Sequence, residues 1–136
     1  MGQVIAHNHF MARIEATSIT PDGSKAAKYL EECLGGLCVA IGMKVCISPR
    51  SNYVITEGNE GITAQLGLET SHIALHEWVN PDRVIMQSAA PHLVQFDLYT
   101  CGCLAFEQRS SINTFLLEYY QPLHYTFKII DRSLGL

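Results

Sequence analysis

Long apolar runs are missing from this chain of 136 residues. No stretch approaches the ~18 apolar residues that a bilayer-spanning helix needs, so no membrane segment is expected. A basic stripe is missing too. Nine Lys and Arg lie scattered among 13 Asp and Glu, for a formal net charge of -4. A nucleic-acid binder would gather its cations on one face, so no such partner is expected. Charged residues are scarce, at 16% against 48% hydrophobic, which excludes a disordered chain. The start "MGQVIAHNHF" has no basic segment leading into an apolar run, so no secretory signal is read. Ala6 breaks the myristoylation pattern that Met1-Gly2 begins. Five cysteines, an odd count without an export signal, fit reduced thiols in a cytoplasm. One domain is expected at this length. So small a domain leaves apolar surface outside, which favours a dimer.

What is present reads as alternating strands and two helices. Residues 7–17 alternate as a strand and stop at the turn-rich "SITPDG". Residues 22–42 carry Ala26, Leu30, Cys33, Leu34, Leu37 and Ile41 at helical spacing, with Ser24 as a cap and Gly42 at the end. Gly35-Gly36 predicts a break or bend there, since each glycine costs a helix about 1 kcal/mol. Short strands are expected at 43–48, ended by Pro49, and at 52–56, followed by a polar loop at 57–61. Strands at 62–69 and 72–78 join near Thr70-Ser71. A mixed connection (79–91) leads to a strand at 92–101, a helix at 106–120 and a last strand at 123–130. One side of the second helix would hold Phe106, Arg109, Ile112 or Asn113, Leu116 and Tyr120. No long parallel crossover occurs in the middle. The order predicts an α+β domain, a largely antiparallel sheet with two helices packed on one face.

Several residues could carry chemistry. His7 and His9 share a strand face, as do His72 and His76, and Cys101 and Cys103 form a C-x-C pair. Zinc wants three or four converging ligands, and no C-x-x-C spacing exists, so no metal site is read. Asp97, Tyr99 and Cys101 alternate onto one face. Cys101 as nucleophile with His76 as base stays open beside the plainer reading of a structural cysteine.

Read together, "GITAQLGLETSHIALHEW" and "QFDLYTCG" resemble the S-adenosylmethionine decarboxylase family in its short prokaryotic form, and relatives carried by bacteriophages most of all. Gly61 and Thr63 match its G-x-S element. Ser71, His72, His76 and Trp78 match E-S-H-x-x-x-H-x-W, and Asp97, Tyr99, Thr100, Cys101 and Gly102 match the strand ending D-x-(Phe or Tyr)-T-C-G. "HNHFMA" resembles the family's first strand, with His9 as its histidine.

The resemblance implies a self-cutting proenzyme. Ser71 would attack the Thr70 carbonyl, dividing the chain into a β-chain (1–70) and an α-chain (71–136) that begins with a pyruvoyl group made from Ser71. Such a ketone takes up the electrons left when carbon dioxide departs. The attack needs a strained turn that holds the hydroxyl close. His76 would be the processing base, Thr63 its hydroxyl support, and Cys101 the proton donor. In an unbroken strand Ser71 and His76 point to opposite faces, so their cooperation requires Ser71 to sit in the turn. Trp78, Tyr53, Glu57 and Asp82 are the implied substrate-binding positions. The pattern departs at three places. Thr70 stands where the family has glutamate. Glu57 falls where an adenine-stacking aromatic is expected, with Tyr53 nearby. The stretch after Trp78 is longer and offers Asp82 as its nearest acid. The leading expectation is decarboxylation of S-adenosylmethionine for spermidine synthesis by a cytoplasmic homodimer, in the host cytoplasm if the chain is phage-encoded. Decarboxylation of arginine or ornithine, favoured by Glu57, Glu60 or Asp82, is the alternative. An unprocessed homologue partnering an active enzyme is a third reading.

Overall fold

The computed structural model describes residues 7–21 and 24–133, with the side chains of 24–26 set aside. The Ser24 cap, the Ala26 contact and the pattern through Ala6 lie outside what is described. Six strands and two helices follow in the order β1 (Asn8–Ala16), α1 (Ser24–Ala40), β2 (Val45–Val54), β3 (Gly61–Leu68), β4 (Ser71–Trp78), β5 (His92–Thr100), α2 (Phe106–Tyr120) and β6 (Pro122–Asp131). A single 3-10 turn, Arg83–Ile85, interrupts the connection from β4 to β5. The strands form one sheet in the order β2-β3-β4-β5-β1-β6. Every pairing is antiparallel. This is the expected α+β architecture.

Strand alternation divides the sheet into two unlike faces. One face carries Phe10, Ile14, Ile62, Leu66, Ile73, Leu75, Val94, Phe96 and Leu98, all buried. Leu30, Leu34, Leu37 and Cys38 of α1 and Ile112, Leu116 and Tyr120 of α2 pack into the same core. The other face carries His9, Met11 and Arg13 of β1, Thr63 and Gln65 of β3, His72, Ala74, His76 and Trp78 of β4, and Gln95, Asp97 and Tyr99 of β5. None of these is buried. Among the described residues no helix is long and apolar enough to cross a membrane.

Three sequence expectations need correction. The strands expected at 43–48 and 52–56 are one strand, β2, whose register against β3 shifts between Val45 and Ile47 and between Ile47 and Arg50. β2 lies at the sheet edge, where Pro49 removes no required ladder hydrogen bond, so the proline does not end it. α1 runs unbroken through Gly35-Gly36. Its burial at Leu30, Leu34, Leu37 and Cys38 outweighs the weak propensity of two glycines. Phe106 does not share the buried side of α2 and is 71% exposed. Six residues separate it from Ile112, which turns it about 240° round the helix from the Ile112–Leu116–Tyr120 stripe.

Two buried carboxylates tie loops to the sheet, one on each face. Glu77 of β4 points toward the helices. Its carboxylate accepts from Thr20 N at 3.1 Å, Thr20 Oγ1 at 2.7 Å and Tyr120 Oη at 2.7 Å. Burial pushes its pKa up, and these three donors only partly offset that. Glu15 of β1 belongs by alternation to the other face, yet it is fully buried. The connection between β4 and β5 folds over it. Gln87 N donates at 2.8 Å and Ser88 Oγ at 2.6 Å, and Arg13 Nη1 pairs with the same carboxylate. Arg13 Nη2 also donates to Ile85 O at 2.6 Å. Burial alone would raise the Glu15 pKa, but the donors from Ser88, Gln87 and Arg13 outweigh it and hold it at about 2.

Glu15 therefore stabilises the fold fully above its ordinary value of about 4.5, and loses that contribution as pH falls toward 2. We expect Glu15→Gln to lower unfolding free energy by about 1–3 kcal/mol at pH 7. The gap from wild type should close between pH 4.5 and 2. Urea denaturation followed by circular dichroism at several pH values measures both. A gap that stays constant through that range would contradict the assignment.

Candidate active site

The chemistry-bearing residues lie at the two ends of the β3–β4 hairpin. At one end Leu68 pairs with Ser71, and Glu69-Thr70 closes the turn. Thr70 has φ 53°. A β-branched residue in that region is an outlier, and such conformations cost about 1–3 kcal/mol. The strain falls on the residue whose carbonyl carbon belongs to the Thr70–Ser71 bond. Ser71 itself is the first residue of β4 and not a turn residue as expected. Two residues suffice to close the hairpin once Thr70 adopts the left-handed conformation.

β5 ends at the same corner, and Cys101 follows it. The Cys101 backbone N–H donates to Ser71 Oγ at 3.1 Å. Thr70 Oγ1 lies 2.9 Å from Cys101 Sγ and 2.7 Å from Glu69 O. Hydrogen bonds from Thr70 and then Ser71 hold the Cys101 thiol below its ordinary pKa. A cavity of about 350 Å³ opens beside these residues, with Arg50, Gln65, Gly67, His72 and Ala74 in its wall. Cys101 lies beyond the strand, so it does not alternate with Asp97 and Tyr99 as expected.

At the other end Thr63 and His76 are Cα partners across β3 and β4. Thr63 Oγ1 lies 3.2 Å from His76 Nδ1. Trp78 stands 5.8 Å from the His76 ring, and its indole N–H donates to Asn59 Oδ1 at 2.9 Å. A second cavity, of about 240 Å³, is walled by Asn59, Thr63, His76 and Trp78. The match at Gly61 has a steric cause here. A Cβ at that position would stand 1.7 Å from Glu77 O.

The structure thus joins Thr70, Ser71 and Cys101 in one group and Thr63, His76 and Trp78 in another. It does not join the groups within one chain. Ser71 and His76 are five residues apart on one strand, roughly 16 Å at ~3.3 Å per residue, and their positions alternate to opposite faces. The remaining candidates stand apart from both cavities. Tyr53 packs against the helix-side core opposite Ile62 and donates to Glu60. Glu57 is exposed in its loop. Asp82 accepts from Val84 N at 3.0 Å and caps the 3-10 turn.

The sequence reading missed Asn59 and a cluster around Tyr99. The His7 and His72 rings stack with Tyr99 at 5.9 and 5.7 Å. Arg132 lies 5.4 Å above the Tyr99 ring, and His9 Nε2 lies 3.0 Å from Asp97 Oδ1. The alternation of His7 and His9 signalled a shared face, but no local pattern pointed to Arg132. Among the described residues no group of three or more His, Cys, Asp or Glu could hold a metal ion.

A single antiparallel sheet, helices on one face only, and hydroxyls set against a thiol at a hairpin corner define the class: an α+β domain with its candidate site on the uncovered side and its rim. The family model for S-adenosylmethionine decarboxylase matches residues 11–133, and the chain belongs to that family of decarboxylases. The solved adenosylmethionine decarboxylase of Aquifex aeolicus VF5 superposes with a TM-score of 0.63 at 16% identity, covering 98% of this chain and 94% of that one. At that identity the likeness is one of fold. No curated protein sequence matches the chain.

Gly61→Ala should cost about 1–3 kcal/mol or more by forcing β3 from β4. It should also weaken the Thr63–His76 contact. Thermal unfolding and the imidazole NMR signals of His76 report the two effects, and an unchanged melting temperature would refute the steric reading.

Proposed function

We propose that the chain is a pyruvoyl-dependent decarboxylase of S-adenosylmethionine that makes its own cofactor by cutting Thr70–Ser71 and serves spermidine synthesis. The observation that carries this reading is the corner where a left-handed Thr70, the Ser71 hydroxyl and Cys101 meet, in a chain of this family. The residues fit the group: Ser71 supplies its carbon skeleton and borders a cavity of about 350 Å³.

The cut uses only the chain's own atoms and one water. Ser71 Oγ adds to the Thr70 carbonyl carbon. The C–N bond breaks, leaving an ester and a free amine. Relief of the Thr70 backbone strain and the fixed hydroxyl both favour this step. A base then takes the Ser71 Cα proton, the Cβ–O bond breaks, and Thr70 departs as a carboxylate. The remaining enamine becomes an imine, and water releases ammonia from it. His76 is that base, with Thr63 orienting its ring. The resulting pyruvoyl ketone supplies an electron sink for decarboxylation. Cys101 returns a proton to the substrate carbon, as a thiol can do near neutrality.

The separation of Ser71 from His76 supports a homodimer. Two copies stacked on their uncovered faces about a two-fold axis would set the His76 end of one over the Ser71 corner of the other. Trp78 and Asn59 would then border the partner's cavity. For the substrate, Glu60 and Asp82 are already engaged within the chain, which weakens the case for a basic amino acid.

Denaturing electrophoresis should show the 15.1 kDa chain replaced by two pieces of about half that mass, and Ser71→Ala should stay whole. A wild-type chain that never cuts would leave only the unprocessed-partner reading. Carbon dioxide release should be seen with S-adenosylmethionine and not with arginine or ornithine. Cys101→Ala should still cut, with turnover reduced about 10²-fold or more. Co-expression of Ser71→Ala with His76→Ala should restore cutting of the His76→Ala chain. No restoration would mean that the site is not shared between copies.

A further inference from the structure

One hydroxyl at the Ser71 corner has no part in the cutting chemistry. Thr70 Oγ1 lies within hydrogen-bond reach of both Cys101 Sγ, at 2.9 Å, and Glu69 O, at 2.7 Å. A hydroxyl has one hydrogen to give, so two arrangements alternate. Either Thr70 donates to the sulfur, which suits a thiolate, or it donates to Glu69 O and accepts from the thiol. Both hold the sulfur against residue 70. The side chain is stiff, because a β-branched residue has few χ1 choices. A second tether runs from Cys101 N to Ser71 Oγ at 3.1 Å. Each residue of the scissile bond therefore holds one atom of Cys101.

We infer that Thr70 is a positioning residue for Cys101: its hydroxyl pins the thiol to the uncut turn, and breaking the Thr70–Ser71 bond frees the thiol to act as proton donor. The inference rests on the self-cutting reading above. The cut turns the Thr70 carbonyl carbon into a carboxylate, and a negative charge beside a thiol favours the protonated form. Residue 70 thus favours thiolate before the cut and thiol after it. The other titratable and charged groups on the neighbouring elements are Glu69 with its ion partner Lys44 at 3.7 Å, Cys46 and Arg50 on β2, His72 on β4, Asp97 and Tyr99 on β5, Cys103 beyond it, His9 on β1 and His7 ahead of it. Burial and, less strongly, Glu69 oppose thiolate, and the two hydroxyls overcome both.

The test uses the full chain carrying Ser71→Ala, which cannot cut. Iodoacetamide alkylation of Cys101 is followed against pH by peptide mass mapping, with exposed Cys103 as internal reference. Adding Thr70→Val should move the Cys101 midpoint upward and slow alkylation at neutral pH several-fold. Adding Thr70→Ser instead should keep the parent profile. The cut wild-type protein should show a higher midpoint than the uncut Ser71→Ala chain. Coincident Thr70→Val and parent profiles, or failure of Thr70→Ser to match the parent, would overturn the clamp. A cut wild type whose profile equals that of the uncut chain overturns the release step alone. A wild type that never cuts overturns the release step and the decarboxylase reading together, while the Thr70 series still decides the clamp.

Discussion

The uninterrupted antiparallel register of β3 against β4 is the constraint on which the rest depends. It runs from Gly61 opposite Trp78 to Leu68 opposite Ser71. That alignment sets Thr63 against His76 at one end and closes the Glu69-Thr70 turn at the other. The pairing of β4 with β5 then carries Cys101 to the same corner. A slip of one residue would exchange the two faces of β4. It would turn Ile73 and Leu75 outward and drive His72 and His76 into the core. Hydrophobic burial that holds the fold therefore also fixes where the polar groups stand.

The two buried carboxylates show how differently the faces are treated. Glu77 lies among the helices and is satisfied by Thr20 and Tyr120. It shares β4 with His76 and Trp78 but looks the other way. Glu15 faces the uncovered side and is buried only because the β4–β5 connection folds back over it. That connection departs from the family pattern in the sequence, and it has its own anchor in the fold. The rest of the uncovered face keeps a set of half-buried polar and aromatic residues that no helix protects.

Much of this was legible from the sequence. The period-two pattern of β1, β3, β4 and β5 marked the strands, and the helical spacing of Leu30, Leu34, Leu37, Ile112, Leu116 and Tyr120 marked the two helices. The motif letters singled out Ser71, His76 and Cys101, although they put Ser71 in the turn and Cys101 within a strand, where the fold has Ser71 opening β4 and Cys101 just past β5. What local patterns could not supply was tertiary. Pro49 read as a strand end because its position at a sheet edge is set by pairing partners far along the chain. Gly35-Gly36 read as a break because burial on one side of α1 is invisible to propensity. The cap that Asp82 makes on the 3-10 turn was not legible because it depends on how that connection folds. The division of the motif residues between two ends of a hairpin also required the register.

The strand order gives the Thr70–Ser71 bond a topological setting. A break there would separate β1, α1, β2 and β3 from β4, β5, α2 and β6. Yet β1 lies between β5 and β6 in the sheet, and β3 lies beside β4. The ladders β3–β4, β5–β1 and β1–β6 all join one piece to the other, and only β2–β3 and β4–β5 lie within a piece. The two halves are interlaced like clasped fingers. Loss of the covalent link would give residues 70 and 71 free ends to rearrange while the sheet that carries them stayed whole.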